Sequence, residues 1–91
     1  MNKKLYLIIY DITDNKRRRK VSKILEKYGI RIQFSAFECE LNEQKKKRII
    51  SLFEKIIKKD DSIRIYNLAK DIYIVNKGQR ELFFSDNLCI I

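Results

Sequence analysis

The chain of 91 residues contains no histidine, no proline and no tryptophan, and only two glycines and two cysteines. Without histidine there is no Ser-His or Cys-His catalytic arrangement, no imidazole general base and no metal site built on imidazole. If the protein is an enzyme, carboxylates working with a hard divalent cation are the most economical chemistry left. Cys39 and Cys89 are too few for a disulfide framework and show no metal-binding spacing. Both lie among apolar residues and read as small core hydrophobes. Nor is there a glycine-rich phosphate loop, which disfavours an acylphosphatase-like reading. No proline, repeat or low-complexity stretch marks a linker, and the length suits one domain with a modest core. No apolar stretch approaches the roughly 18 residues of a membrane span. The short apolar run behind Met1-Asn2-Lys3-Lys4 holds Tyr and Asp, unlike a signal peptide. The expectation is a cytoplasmic protein without a membrane partner.

What the chain has in excess is positive charge: 21 Lys and Arg against 12 Asp and Glu, net +9, with a pI near 9.7. Such a balance points to a polyanionic partner, nucleic acid ahead of an anionic membrane, against the plainer reading of a solvated basic surface. The charge is densest in Tyr10-Asp11-Ile12-Thr13-Asp14-Asn15-Lys16-Arg17-Arg18-Arg19-Lys20, where an apolar run ends in an acid, turns, and enters five consecutive cations. Those cations fall where a helix begins, and each exposed one there costs about 0.3–1 kcal/mol against the helix dipole. A sequence that accepts this cost has an anion to put there, and helix N-termini are ready phosphate sites.

Periodicity supplies the frame. Lys4 to Ile12 reads as a central strand, and Thr13 or Asp14 as the N-cap of a first helix. Val21, Ile24, Leu25 and Tyr28 give that helix an apolar face, and Gly29 is the expected residue that ends it. Ile30 to Glu40 reads as extended, but its apolar parity changes near Ser35-Ala36, which marks a bulge or a division into two strands. Asn42 caps a second helix with Ile49, Ile50, Phe53, Ile56 and Ile57 on its buried stripe. The Lys45-Lys46-Lys47-Arg48 cluster in its first turns is at least as readily an exposed face as a nucleic-acid contact. Asp60-Asp61-Ser62 is a turn, Ile63 to Leu68 a strand, and Ile72 to Val75 a strand expected to form a hairpin with it. If Ile30 to Glu40 is two strands, the order becomes βαββαβ with an extension. The fold expected is α+β: a ferredoxin-like antiparallel sheet with two helices on one face. Residues 1–78 form that domain. The apolar tail, residues 79–91, is expected to dock as an added strand across a homodimer or to pack on its own subunit.

Asp11 is the sharpest candidate for chemistry, at the point where a strand leaves the sheet beside a basic helix start. A lone carboxylate near a phosphate is repulsive unless a divalent cation lies between them. A carboxylate that holds Mg²⁺ is the arrangement that metal-assisted phosphodiester hydrolysis uses. One carboxylate is a poor metal site, and a dimer that brings two copies of Asp11 together would supply two. The plainer alternatives are a turn-capping role or an ion pair with Arg17 or Arg18. Asp14 reads as a cap rather than a ligand.

Tyr10-Asp11-Ile12, Lys16-Arg17-Arg18-Arg19-Lys20-Val21, Tyr28-Gly29-Ile30-Arg31-Ile32-Gln33 and Ser35-Ala36-Phe37-Glu38-Cys39, with weaker agreement over Asp61-Ser62-Ile63-Arg64-Ile65-Tyr66, resemble the small CRISPR-associated adaptation protein ("Cas-two") family. The resemblance extends to about Val75 and leaves the tail unmatched. It implies a ferredoxin-like homodimer that acts in spacer acquisition with the family's integrase ("Cas-one"). It also implies an endonuclease on RNA or DNA dependent on Mg²⁺ (or Mn²⁺), with Asp11 as catalytic metal ligand. Lys16, Arg17, Arg18, Arg19, Lys20 and Arg31 map onto the nucleic-acid-facing surface. The alternative within the family is a non-catalytic scaffold that holds DNA in the integrase complex. An RNA-recognition domain is disfavoured, because Ile63-Arg64-Ile65-Tyr66 has one aromatic and no glycine.

Overall fold

The computed structural model describes residues 2–68 in full and residues 73–77 and 80–84 as backbone strands. The elements run β1 (Lys4–Asp11), α1 (Asn15–Glu26), β2 (Gly29–Gln33), β3 (Ala36–Leu41), α2 (Glu43–Ile56), β4 (Ser62–Asn67), β5 (Tyr73–Lys77) and β6 (Arg80–Phe84). The first six build a four-stranded antiparallel sheet in the order β2-β3-β1-β4, which is the ferredoxin-like arrangement. The central strand is β1, bonded to β3 from Lys4↔Leu41 to Ile9↔Ala36 and to β4 from Tyr6↔Asn67 to Asp11↔Ser62.

Strand alternation assigns the faces. Tyr6, Ile8 and Tyr10 of β1 join Ile12, Phe37, Cys39 and Leu41 on the helix side, against Val21 and Leu25 of α1 and Ile49 and Phe53 of α2. Side chains of this size each contribute about 1.5–3 kcal/mol when fully buried. Leu7, Ala36 and Leu68 form a smaller cluster on the opposite face, flanked by Leu5, Ile9, Ile32 and Tyr66. Ile56 and Ile57 pack on the main core as expected, whereas Ile50 joins neither cluster.

The helix starts follow the expected chemistry. Asp14 caps α1, its Oδ2 accepting from the Arg17 N–H at 2.9 Å, and Asn42 caps α2, its Oδ1 accepting from the Lys45 N–H at 2.8 Å. The parity change near Ser35-Ala36 is resolved as two strands. Phe34 and Ser35 make the connection between β2 and β3, and the register shifts between Arg31 and Gln33. Among the described residues only Asp60 (φ 75°) combines a side chain with a positive φ, so this connection is not a type I′ turn. The register shift absorbs the resulting mismatch in twist.

Two local expectations are corrected. Gly29 does not end α1: the helix closes at Glu26 with Lys27 as a right-handed C-cap, and Gly29 is the first residue of β2. Its role is close approach. A methyl carbon there would overlap the Glu38 carbonyl oxygen and lie 2.5 Å from Cys39 Sγ. Gly29→Ala is therefore expected to lower stability by about 1–3 kcal/mol through overpacking, measured by denaturant unfolding. The second correction concerns the hairpin. β4 pairs with β1, and β5 pairs instead with β6, from Tyr73↔Phe84 to Lys77↔Arg80. Only two residues separate β5 from β6, a length that favours a hairpin over pairing back to β4. Part of the apolar tail is thus a strand on β5, and Leu88 to Ile91 lie outside the described residues, as does Cys89. Among the described residues no helix is long and apolar enough to cross a membrane.

Candidate nucleic-acid interface and carboxylate site

The five cations after Asn15 do not act as one patch. Arg17 is committed to structure. Its Nε–H donates to Asp61 Oδ2 at 2.8 Å and its Nη2 to Asp61 Oδ1 at 3.3 Å, a two-pronged pair that joins the start of α1 to the turn before β4. The Asp61 side chain is only 1% exposed and also accepts from the Lys58 N–H at 2.9 Å. The Arg17 hydrogen bond, then that N–H, hold the Asp61 carboxyl below the usual carboxylate value. Asp61 sits in the turn that Asp60 makes possible through its left-handed backbone.

A group with a depressed native pKa stabilises the fold above its unfolded pKa, near 3.9 for aspartate, and loses that contribution as pH falls through the native value. Asp61→Asn is therefore expected to melt several degrees below the wild type at neutral pH. The gap between the two should close as pH falls below about 4, read as Tm against pH.

Arg18 turns back over the helix start. Its Nη1 donates to the carbonyls of Ile12 at 2.9 Å and Thr13 at 3.3 Å, and its Nη2 to Asn15 Oδ1. These bonds orient the guanidinium without neutralising it. Arg19 is exposed, and its side chain makes no hydrogen bond or ion pair among the described residues. Lys16 and Lys20 are likewise exposed. Of the run, then, Arg17 has its countercharge within the fold, whereas Arg18, Arg19, Lys16 and Lys20 have no ion pair among the described residues.

Arg31 approaches from β2. It lies 4.8 Å over the Phe37 ring, which itself stacks on Tyr10 at 6.4 Å. Its Nη1 donates to the Phe34 carbonyl at 2.5 Å and lies 3.5 Å from the Tyr10 hydroxyl, while its Nη2 is 3.9 Å from Glu26. The result is an open depression of about 160 Å³ lined by Tyr10, Arg18, Arg19, Ser22, Arg31 and Phe34. Three arginines from two elements line it, and the exposed Glu26 carboxylate lies 3.9 Å from Arg31, a distance that makes the pair weak. The geometry suits a phosphate.

Asp11 lies elsewhere. It ends β1 opposite Ser62 and is exposed. Because it shares parity with Leu7 and Ile9, it projects from the sheet face opposite the helices, whereas Tyr10 and Arg31 belong to the helix side. Among the described residues it has neither Arg17 nor Arg18 as an ion-pair partner, since both are engaged as above. No group of three or more Asp, Glu, Cys or His is arranged to hold a metal among the described residues. Among the described residues Asp11 is thus a single carboxylate, with Ser62 opposite it in the β1–β4 pairing. Mg²⁺ keeps several waters and is often held by one or two carboxylates, so the residues fit one corner of such a site and a second copy would be needed to supply another.

The model of the family described as CRISPR associated protein Cas2 matches residues 4–73. The chain belongs to the Cas2 family. Its relatives include the CRISPR-associated endoribonuclease Cas2 3 of Synechocystis, 44% identical over 71% of this chain and 72% of that one. The CRISPR-associated endonuclease Cas2 2 of Thermus thermophilus is 35% identical over 86% and 88%. Cas2 of Streptococcus pyogenes has the same fold, with a TM-score of 0.69 and 36% identity over 74% of this chain and 88% of that one. A chain in a partial Cas6-RT-Cas1–Cas2 complex aligns with a TM-score of 0.65 and 41% identity over 75% and 81%.

Within this Cas2-family fold, Asp11 and the basic residues named from the sequence occupy two faces rather than one turn. Sequence reasoning passed over Asp61, Ser22 and Phe34. A carboxylate in a turn gives no sign that it will be buried beneath an arginine. Phe34 did leave a sign: it is a large apolar residue at the point where strand parity breaks. The Lys45–Arg48 cluster is partly committed, since Lys46 Nζ lies 3.0 Å from Glu43 and 5.3 Å from the Tyr6 ring centroid. Cys39 is buried, and that burial, with Glu38 adding to it, pushes its thiol up to about 11, as an inert core residue requires.

Proposed function

We propose that this Cas2-family protein binds nucleic acid through Arg18, Arg19 and Arg31 and cleaves phosphodiester bonds as a homodimer, using a divalent cation held by Asp11. The observation that carries the binding half is that three arginines line one depression. The cleavage half is supported by the names of the relatives, which are endoribonucleases and endonucleases, and by an exposed carboxylate free of the neighbouring arginines. Mg²⁺ or Mn²⁺ held there would activate water and neutralise charge developing on the phosphate. Two Asp11 carboxylates, one from each protomer, would complete the ligand set. The likeness to a chain of a complex that contains Cas1 supports an integrase as a further partner. A nucleic-acid substrate of this kind makes the cytoplasm the place of action.

The scaffold reading has its own support: among the described residues Asp11 has no cluster of acids around it to hold a metal. Purified protein incubated with single-stranded RNA and with duplex DNA, in Mg²⁺, Mn²⁺ or chelator, separates the two. Cleavage that needs the metal supports the enzyme. Binding without cleavage of any of these substrates leaves the scaffold.

A further inference from the structure

Phe34 is 84% exposed, an unusual state for a large aromatic in a short strand connection, where small polar residues and glycine normally serve. It lines the arginine depression, and its carbonyl is fixed by Arg31. The depression itself, at about 160 Å³, is smaller than the roughly 300 Å³ of pockets that enclose whole organic ligands. It has room for a phosphate and leaves any attached base at the rim, where Phe34 stands. In a continuous duplex the bases face inward and none is available to that ring. An unpaired nucleotide presents both a phosphate and a free π-face, and aromatic residues beside cations are the usual platform for it.

We propose that Arg18, Arg19, Arg31 and Phe34 form a subsite for an unpaired nucleotide, the arginines holding its phosphate and Phe34 stacking its base. The inference rests on the nucleic-acid reading above and narrows it: the preferred ligand carries a single-stranded segment. Tyr10 and Ser22 line the same depression and supply hydroxyls near the phosphate. Nothing in the subsite requires Asp11, which lies on the other face.

The test uses full-length wild type, Phe34→Ala and Phe34→Trp with two DNA probes of one sequence, a blunt duplex and the same duplex with a single-stranded overhang. Wild type should prefer the overhang probe. Phe34→Ala should weaken binding of that probe by about tenfold or more and leave the blunt duplex unchanged. Phe34→Trp should keep the preference and show tryptophan fluorescence quenched by the overhang probe but not by the blunt one. The side chain is exposed, so all three proteins should melt together. A Phe34→Ala loss that is equal on both probes, or absent from both, overturns the subsite. So does fluorescence of the Phe34→Trp protein that the overhang probe leaves unquenched. Failure of the wild type to bind either probe would overturn the nucleic-acid reading itself, and the subsite with it.

Discussion

Asp11→Asn should abolish metal-dependent cleavage, lowering the rate at least about a hundredfold, because outer-shell changes alone cost 10–100-fold and this one removes a ligand. The substitution keeps the side chain's shape and removes its charge, so the proposed divalent cation would lose its Asp11 carboxylate. The fold should be indifferent. Asp11 is exposed at the end of β1, and its backbone pairing with Ser62 does not involve the side chain. Equal melting temperatures would show that the loss is chemical. Cleavage by the variant at the wild-type rate would remove Asp11 from the mechanism.

Arg19→Gln combined with Arg31→Gln should weaken nucleic-acid binding by at least about tenfold, since a charge-assisted hydrogen bond contributes roughly 1.5–3 kcal/mol. On duplex DNA it should also make the slope of log affinity against log salt shallower by up to about 0.9, because the one phosphate in the depression loses two of its three arginines. Both side chains are substantially exposed, so their removal leaves the core untouched; Arg31's stacking over Phe37 and its bond to the Phe34 carbonyl are given up. Arg17→Gln makes the informative comparison. It breaks the bond to the buried Asp61 carboxylate and should lower Tm, yet it should leave the salt slope close to that of the wild type. Similar slopes for all the variants would mean that binding draws on diffuse charge rather than on the depression.

The difference between Arg17 and Arg19 also marks how far the residues alone could be read. Alternation and apolar spacing were sufficient for the sheet, the two helices and both N-caps, because those features depend on neighbours in sequence. The division of Ile30 to Glu40 was visible in its parity for the same reason. The pairing of β5 with β6 was not, since an apolar strand pattern does not name its partner. Nor could the run from Lys16 to Lys20 be sorted by role. Arg17's partner is 44 positions away in a turn, and Arg31 reaches the helix only through the register of β2 on β3. The separation of Asp11 from the arginines follows from parity along β1. It became readable only once Tyr10 and Ile9 were assigned to opposite faces by what packs on each.

If binding and chemistry are as proposed, that separation should make them independent, and one titration examines it directly. Nucleic-acid affinity is measured over a range of salt, in chelator, for wild type and Asp11→Asn. The expected result is the same salt slope for both, with affinity equal or slightly tighter in the variant because a negative charge is gone. A weaker affinity or a shallower slope in Asp11→Asn would contradict it, and would put the carboxylate and the phosphate site on one surface.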